Sequence, residues 1–582
     1  MPDFSRLMVE MRRRHVFRVT GIYIVAAWVI LQVCDLAFES FGLPSQAMRF
    51  VWLALVVLFP LAIIWGWRYD ITSRGIVRTL PAATTETTTL ALRAPDFVII
   101  SALAAIVLFV VTATVNQIVH TPGGLDQRHS LGRNVLSSIV VLPFESLSAD
   151  ASQGYLAAGL HDALIASLAK VKAFKVISRT SSLRMPPTWT IPEIGKQLGV
   201  DKIIEGTVTR DEDTVRVSIQ LIDTEREDHI WSETYVRSFD SLVALQGEIA
   251  TAVASAVQVR LTPEEQRRLA SRGEVNPQTY DTYLRAMYRI RRETRQGMRE
   301  AMDLLMDAVE NDPTSALAWA GLAYGYGELG HSPFPEKGAY PRAKAAADRA
   351  IELDPNLAEA HLAVAMYQTY YEWDFQTAEK SYQRAIEINP SLADAQYHLA
   401  WLYELLERDE EAIRLGELTM ELDPLSALYS AWLAEQYRDA GMYDKAIETA
   451  EATLQLRPDF PVANYSLGET YAELGDFDRA LEYHEKLKDR PFWSWAFAAT
   501  LASAGRIDEA REIVGKLEES GDSMVLVLIY AASGDYDAAM KWLLQARDDR
   551  IPWYPALLKW FPQTQGFRDD PRVIALAEEL GL

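Results

Sequence analysis

Three long apolar stretches open the chain. They span about residues 16–36, 50–67 and 97–116, and the third contains no charged residue. A helix that crosses the hydrocarbon core of a bilayer needs roughly 17–25 apolar residues, and membrane helices tolerate an internal proline such as Pro60. No small-residue cleavage site follows the first stretch, as a secretory signal would require. The pattern therefore predicts three uncleaved transmembrane helices in a membrane region of residues 1–120.

Between residues 136 and 261 the pattern changes to short β-branched runs separated by amphipathic helices. Leu160, Leu164 and Leu168 recur at helical spacing, whereas apolar residues alternate with polar ones from Val215 to Leu221 as in a half-buried strand. The predicted strands are 138–144, 174–177, 202–209, a run around 215–221, and 229–236. The predicted helices are 154–171, 191–198 and 242–261. Together they predict one α/β domain.

From about residue 276 to the end the chain is a tandem repeat. Pro355, Pro390, Pro424 and Pro458 close successive units at intervals of 35, 34 and 34 residues, each in a similar context such as IELDP or MELDP. A period near 34 is typical of tetratricopeptide repeats, in which each unit is a helix, a turn and a second helix. We count about eight helical pairs up to residue 550, followed by a capping end.

Several positions repeat in phase within these units. A small residue lies in each first helix, an aromatic residue lies three positions later, and an alanine lies in each second helix. The three sets are Ala400, Ala434 and Gly468; Tyr403, Tyr437 and Tyr471; and Ala412, Ala446 and Ala480. The small residues allow close helix approach, and we expect the tyrosines to fill the seam between the two helices. One unit cannot bury its apolar face alone, so the units must stack.

In tetratricopeptide proteins the first helices line a concave surface that binds extended or helical peptides. We matched the concave positions of tetratricopeptide proteins to this sequence one by one. The resemblance implies that eight residues in the range 276–582 bind a partner. They are Asp394, Tyr397, Trp401, Glu404, Glu435, Arg438, Tyr465 and Glu469. Acidic and aromatic groups together suit a ligand with basic and apolar groups; the alternative is that these residues are solvated helix faces or packing between repeats. We expect substitution of Tyr397, Trp401 and Tyr465 together to abolish partner capture and leave the fold intact.

The α/β region resembles the TolB-like amino-terminal domain, whose fold family includes the FlgO-type envelope proteins. The resemblance rests on successive blocks, among them SIVVLPFESLSADASQGYLAAGLHDALIASLAKV, IGKQLGVDKIIEGTVTR and VRVSIQLIDTEREDHIWSETY. Residues 10–80 are similar to the membrane hairpin that precedes many bacterial TolB-like/tetratricopeptide proteins. The resemblance implies a periplasmic interaction or sensing module. In relatives this module is joined to a cyclase or a winged-helix regulator, and this sequence contains neither.

Charge is unevenly distributed along the chain. The formal net charge is −23, yet arginine clusters precede the first apolar stretch and separate the second from the third. The positive-inside rule then places the N-terminus in the cytoplasm of a bacterium and the residues after about 120 in the periplasm. The acidic remainder disfavours nucleic acid as a partner.

Motifs for catalysis, metals and cofactors are missing from the sequence. It contains no HExxH, no GxxxxGK[ST], no GxGxxG and no GxSxG, and Cys34 is its single cysteine. His161 and Asp162 lie at one edge of an amphipathic helix, where we expect a solvated or capping pair. We therefore predict no catalytic, cofactor-binding or metal-binding residue, and the oligomeric state stays open.

The sequence thus predicts a multidomain chain with N-terminal transmembrane helices, a TolB-like α/β domain and an all-α tetratricopeptide superhelix. The expected function is an inner-membrane-anchored periplasmic scaffold that binds a protein or peptide partner. The alternative is a sensory subunit that acts with a separate cytoplasmic regulator or cyclase. A third possibility is an unrecognised enzyme in the α/β domain.

Overall fold

The computed structural model describes most of the chain after residue 136 and a short piece before it. The described residues are 69–72, 75–78, 137–148, 153–211, 213–270, 276–290, 294–331, 336–490, 492–519, 521–559, 561 and 564–582. The chain divides into two compact units, Met1–Leu131 and Gly132–Leu582. The three predicted membrane spans lie outside the described residues. Within the described part, no helix combines the length and the apolar character needed to cross a bilayer.

In the first unit the described residues form one β-hairpin. Strand β1 is Tyr69–Thr72 and strand β2 is Gly75–Arg78. They pair antiparallel, with Ile71 directly opposite Ile76. Such cross-strand pairs of β-branched residues stabilise a sheet.

The second unit begins with the α/β domain. Its strands are β3 (Ser137–Val141), β4 (Glu145–Ser146), β5 (Phe174–Val176), β6 (Lys202–Asp211), β7 (Thr214–Asp223) and β8 (His229–Ser238). Its helices are α1 (Gly154–Leu168), α2 (Arg179–Arg184), α3 (Ile191–Leu198) and α4 (Leu242–Ala256). The helix α5 (Pro263–Ala270) follows. Each strand and helix predicted for this domain has a counterpart here, although β4, α2 and α5 were not predicted; α5 lies where the sequence predicts a linker, residues 262–275.

The sheet of this domain is mixed. Its strand order is β5-β3-β6-β7-β8, with β4 also paired to β6. Strand β3 runs parallel to β5 and β6, whereas β6, β7 and β8 are antiparallel to one another. The predicted alternation along β7 is confirmed, because Val215, Val217, Ile219 and Leu221 are buried. These side chains form one core with α1 and α4.

The expectation that His161 and Asp162 form a solvated or capping pair is wrong, because α2 packs over them. His161 is only 1% exposed, so it is not solvated. Its Nε2 lies 2.9 Å from Val141 O and 3.1 Å from the hydroxyl of Ser182 on α2. The neighbouring Asp162 carboxylate pairs with the Arg179 guanidinium. The pair therefore fixes α1 against β3 and α2, which is a structural role.

The same helix joins the α/β domain to the repeats. The backbone amide of Ser178 donates to Leu422 O at 2.7 Å. The hydroxyl of Ser181 donates to the buried carboxylate of Asp423 and accepts from the amide of Leu425 at 2.8 Å. These hydrogen bonds bridge more than 240 positions of sequence. The domain and the repeats therefore share one continuous set of contacts.

The described helices after residue 276 form eight successive pairs and a C-terminal end. The pairs are α6 (Pro277–Ile290) with α7 (Arg295–Asn311), α8 (Ala316–His331) with α9 (Ala339–Leu353), α10 (Ala358–Tyr367) with α11 (Phe375–Ile388), α12 (Ala393–Leu405) with α13 (Asp409–Leu422), α14 (Ala427–Asp439) with α15 (Tyr443–Leu456), α16 (Pro461–Glu473) with α17 (Phe477–Glu485), α18 (Ser494–Ser503) with α19 (Ile507–Glu518), and α20 (Ser523–Ser533) with α21 (Tyr536–Asp548). One π-helical turn, Gln368–Glu372, extends α10. The end comprises α22 (Tyr554–Lys559), α23 (Gln565–Arg568) and α24 (Pro571–Leu580).

The in-phase residues of the repeats occupy the predicted places. The alanines of the three sets are at most 1% exposed, and the three tyrosines are 4–7% exposed. The second helices α9, α11, α13 and α15 each end two residues before a repeat proline. Proline lacks the backbone donor and clashes with the preceding turn, so it prevents continuation of these helices.

Candidate partner-binding groove

The candidate site is the surface formed by the first helices of successive pairs, α8, α10, α12, α14 and α16, which we call the groove. All eight predicted partner-binding residues lie on three of these helices, α12, α14 and α16. Seven of them are only 0–7% exposed, and Asp394 is half-buried and accepts a hydrogen bond from Tyr429. They are therefore not solvated helix faces, and their role in binding stays a prediction.

Their burial corrects one sequence expectation. Tyr397, Trp401 and Tyr465 are 7%, 3% and 1% exposed. Removing a buried aromatic side chain costs about 3–5 kcal/mol each. Substitution of all three would therefore damage the core, and loss of partner capture in that variant would not identify a binding surface.

The groove is covered by the chain's own residues 550–559, which we call the C-terminal segment. Trp553 lies among four rings from four successive repeats: His331, Tyr370, Trp401 and Trp432. Its ring centroid is 5.3, 6.5, 5.9 and 6.4 Å from theirs, respectively. These four rings are named the aromatic surface below. Trp553 is not among the residues predicted from the sequence, although its motif, Arg550 followed by Pro552-Trp553-Tyr554, has the basic and aromatic character expected of a ligand.

Polar and cationic contacts flank Trp553 on both sides. The Arg550 guanidinium donates to Tyr371 O at 3.1 Å and lies 4.3 Å above the centre of the Trp373 ring. Tyr554 packs against the same Trp373 ring at 4.8 Å. At the other end, Lys559 Nζ lies 3.1 Å from Glu407 Oε1. The segment therefore combines aromatic packing with basic groups.

A cluster of buried charges adjoins this surface. Arg438 is fully buried, and its Nη1 lies 3.2 Å from Glu435 Oε2 while its Nη2 donates to Asp439 at 2.6 Å. Burial raises the pKa of Glu435 to about 8, although the Arg438 charge opposes this shift. Burial, followed by the Asp439 charge, also raises the pKa of Glu404. One buried cation thus faces several carboxyl groups, and burial favours the neutral form of two of them, Glu404 and Glu435.

His484 on α17 is buried next to Tyr465 and Glu469 in the same region. Its Nε2 donates to Tyr465 O at 3.2 Å and lies 3.7 Å from Glu469 Oε1, and its Nδ1 is 2.8 Å from the Thr500 hydroxyl. Burial lowers the pKa of His484 to about 4, and the Arg438 charge acts in the same direction.

This low pKa predicts a pH-dependent stability. The ordinary histidine pKa is 6.5, so below pH 6.5 the unfolded chain takes up a proton that the folded chain refuses until about pH 4. Stability from this group is complete above pH 6.5 and falls by roughly 3 kcal/mol towards pH 4. We expect urea unfolding midpoints of His484→Gln to decline less with acidity than those of the unchanged chain. Parallel pH profiles for the two proteins would contradict this.

Three family models match parts of this chain. Residues 135–252 match the second domain of HilA/YgeH-like transcriptional regulators. Residues 371–427 and 437–491 match two models of the tetratricopeptide repeat. The predicted tetratricopeptide repeats are confirmed, and repeats of this kind form a scaffold for protein–protein interaction. The TolB-like resemblance of the α/β domain stays a prediction, since the matching model there is the HilA/YgeH-like one.

A curated relative covers part of the chain. It is "Putative adenylate cyclase 3" of Rhizobium meliloti (strain 1021), 36% identical over 187 residues. The match covers 32% of this chain and 32% of the relative. This chain therefore matches less than two thirds of the relative's length.

Solved structures of repeat proteins also resemble it in part. YrrB, a TPR protein with an unusual peptide-binding site, is 22% identical with a TM-score of 0.26, covering 32% of this chain and 91% of YrrB. PilW, a type IV pilus biogenesis factor, is 17% identical with a TM-score of 0.33, covering 39% of this chain and 100% of PilW. TM-scores of this size support no conclusion about the present chain.

Proposed function

We propose that the chain is a scaffold anchored in a bacterial inner membrane, with its repeats in the periplasm, where they bind a protein or peptide partner. The observation that carries the proposal is the groove, in which aromatic rings and an acceptor-rich charge cluster occupy the surface that tetratricopeptide repeats use for peptides. The α/β domain, which we take to be TolB-like, contributes a second interaction surface. The proposal includes no catalytic step, cofactor or metal.

The location of the repeats is tested by fusing alkaline phosphatase or green fluorescent protein after Leu582. Phosphatase is active only outside the cytoplasm, so we expect phosphatase activity without fluorescence. Fusions after residues 45 and 85 are the matched controls, since they should report the periplasm and the cytoplasm, respectively. Fluorescence without phosphatase activity at Leu582 would contradict the periplasmic scaffold.

A second candidate is a sensory subunit whose output is made by a separate cytoplasmic effector. It is favoured by the match of 187 residues to a protein named as an adenylate cyclase and by the family model of a transcriptional regulator's domain. Crosslinking in living cells separates the two candidates. Capture of an envelope protein by the repeats supports the scaffold, whereas capture of a cyclase or regulator by residues 68–96 supports the sensory subunit.

A further inference from the structure

We propose that the C-terminal segment is an internal ligand of the groove, and that the partner is a peptide with an aromatic side chain beside a lysine or arginine, which binds by displacing it. This inference rests on the proposed function, because it assigns the partner's chemistry to the same groove. Residues 550–559 show which chemistry the groove accepts, since they are already bound there.

The segment lies far in sequence from the surface that it covers. Arg550 contacts Tyr371 across 179 positions, and Lys559 contacts Glu407 across 152 positions. The segment therefore packs not only on the preceding pair, α20 and α21, but also on repeats much earlier in the chain. It binds the first helices of much earlier repeats, as a separate peptide would.

The docked segment leaves a buried hydrogen-bond donor unpaired. The buried indole Nε1 of Trp553 has no hydrogen-bond acceptor among the described residues. Buried polar groups are normally paired, and each unpaired one destabilises the state that contains it. A partner whose aromatic side chain leaves no such donor unpaired avoids this defect, which favours the exchange.

The polar contacts at the two ends of the segment are weak. Arg550 is exposed, and the Lys559–Glu407 pair has side chains 27% and 73% exposed. Exposed ion pairs contribute little to stability. Apolar contacts anchor the segment instead: those of Trp553 on the aromatic surface, and those of Tyr554, Leu557 and Leu558, which are at most 1% exposed. A competing aromatic side chain must take the place of Trp553.

The experiment uses the full chain and a fluorescent peptide that copies residues 546–559. Because the docked segment leaves only a fraction of molecules open, we expect the unchanged chain to bind the peptide weakly and Trp553→Ala to bind it at least about tenfold more tightly. Trp542→Ala is the matched control, because Trp542 lies on α21 with Lys541 above its ring. It should bind like the unchanged chain. Equal binding by the unchanged chain and Trp553→Ala, or binding by neither, would overturn the proposal.

The role of the basic group is tested on the peptide. A copy with Lys559 replaced by alanine should bind Trp553→Ala about two- to fivefold more weakly, and Glu407→Gln in the same background should remove that difference. An unchanged difference in Glu407→Gln means that the cation does not bind there and overturns this part. Should Trp553→Ala fail to fold by circular dichroism, Arg550→Ala with Lys559→Ala in the chain takes its place. That variant is expected to bind the unaltered peptide more tightly than the unchanged chain, and no gain overturns the proposal.

Failure of this inference and failure of the proposed function give different results. A partner that crosslinks equally to the unchanged chain and to Trp553→Ala supports a scaffold but overturns displacement. If the peptide binds as expected but no envelope protein is captured, the displacement is supported and the scaffold proposal is contradicted.

Discussion

Substituting Arg438 by methionine should lower the free energy of unfolding by about 3–5 kcal/mol, because it leaves buried carboxyl groups without their cation. The guanidinium is fully buried and pairs with Glu435, Asp439 and Glu473 at 3.2, 2.6 and 3.6 Å. Methionine fills a similar volume but supplies no charge or donor. Urea unfolding of the full chain, followed by tryptophan fluorescence, measures the loss.

The deficit of this variant should also depend on pH. The Arg438 charge opposes the rise in the pKa of Glu435 to about 8, so its removal raises that pKa further. A protonated Glu435 is neutral and needs no cation, so the deficit should shrink as the pH falls towards 8 from above and change little below about pH 7. Arg511→Met is the control, since Arg511 and its partner Asp508 are 75% and 97% exposed, and such a surface change costs at most about 0.5 kcal/mol. A loss of that small size at Arg438 would show that the buried cluster does not stabilise the repeats.

Replacing Gly468 by alanine should destabilise the repeats by about 3 kcal/mol, since overpacking a buried site costs about 1–3 kcal/mol and a buried hydrogen bond is also disturbed. A Cβ atom on Gly468 would lie 2.1 Å from Cδ2 and Nε2 of His484. His484 cannot move freely, because it is fully buried and hydrogen-bonded to Tyr465 O.

The control variant, Gly515→Ala, is expected to increase stability rather than decrease it. Gly515 lies within helix α19, and no atom lies within 4 Å of its added Cβ. Alanine there should stabilise the chain by about 0.5–1 kcal/mol, the usual gain for replacing glycine in a helix. Thermal unfolding of both variants measures the two signs, and an increase in stability with Gly468→Ala would contradict the packing seen around His484.

Gly468 also shows how far the repeat pattern predicts packing. Two other units have Ala400 and Ala434 at this position, so the pattern alone suggests that alanine is harmless here. In the fifth helical pair the facing residue is Ala450, whereas in the sixth it is His484. The larger His484 side chain therefore requires glycine rather than alanine at position 468. A periodic pattern describes the average unit, and the individual contact depends on both residues of the pair.

The unpredicted helix α2 illustrates a second gap. Its six residues, RTSSLR, contain one large apolar residue and therefore carry no helical period. The Ser178 hydroxyl accepts from the amide of Ser181 at the N-terminus of α2, and contacts with Asp423 and Leu425 from the repeats stabilise it further. Elements this short are stabilised by tertiary neighbours rather than by their own sequence.

By itself, the sequence determined the repeats, the ends of the second helices α9, α11, α13 and α15 at their prolines, the alternation of β7 and the burial of the in-phase alanines and tyrosines. These features are local, because the period of a helix or strand decides which side chains share a face. Only the tertiary structure showed that residues 550–559 cover the groove and that seven of the eight predicted binding residues are buried. The contacts of Arg550 and Lys559 join residues 179 and 152 positions apart. They depend on the accumulated rotation of several stacked repeats, which no local pattern encodes.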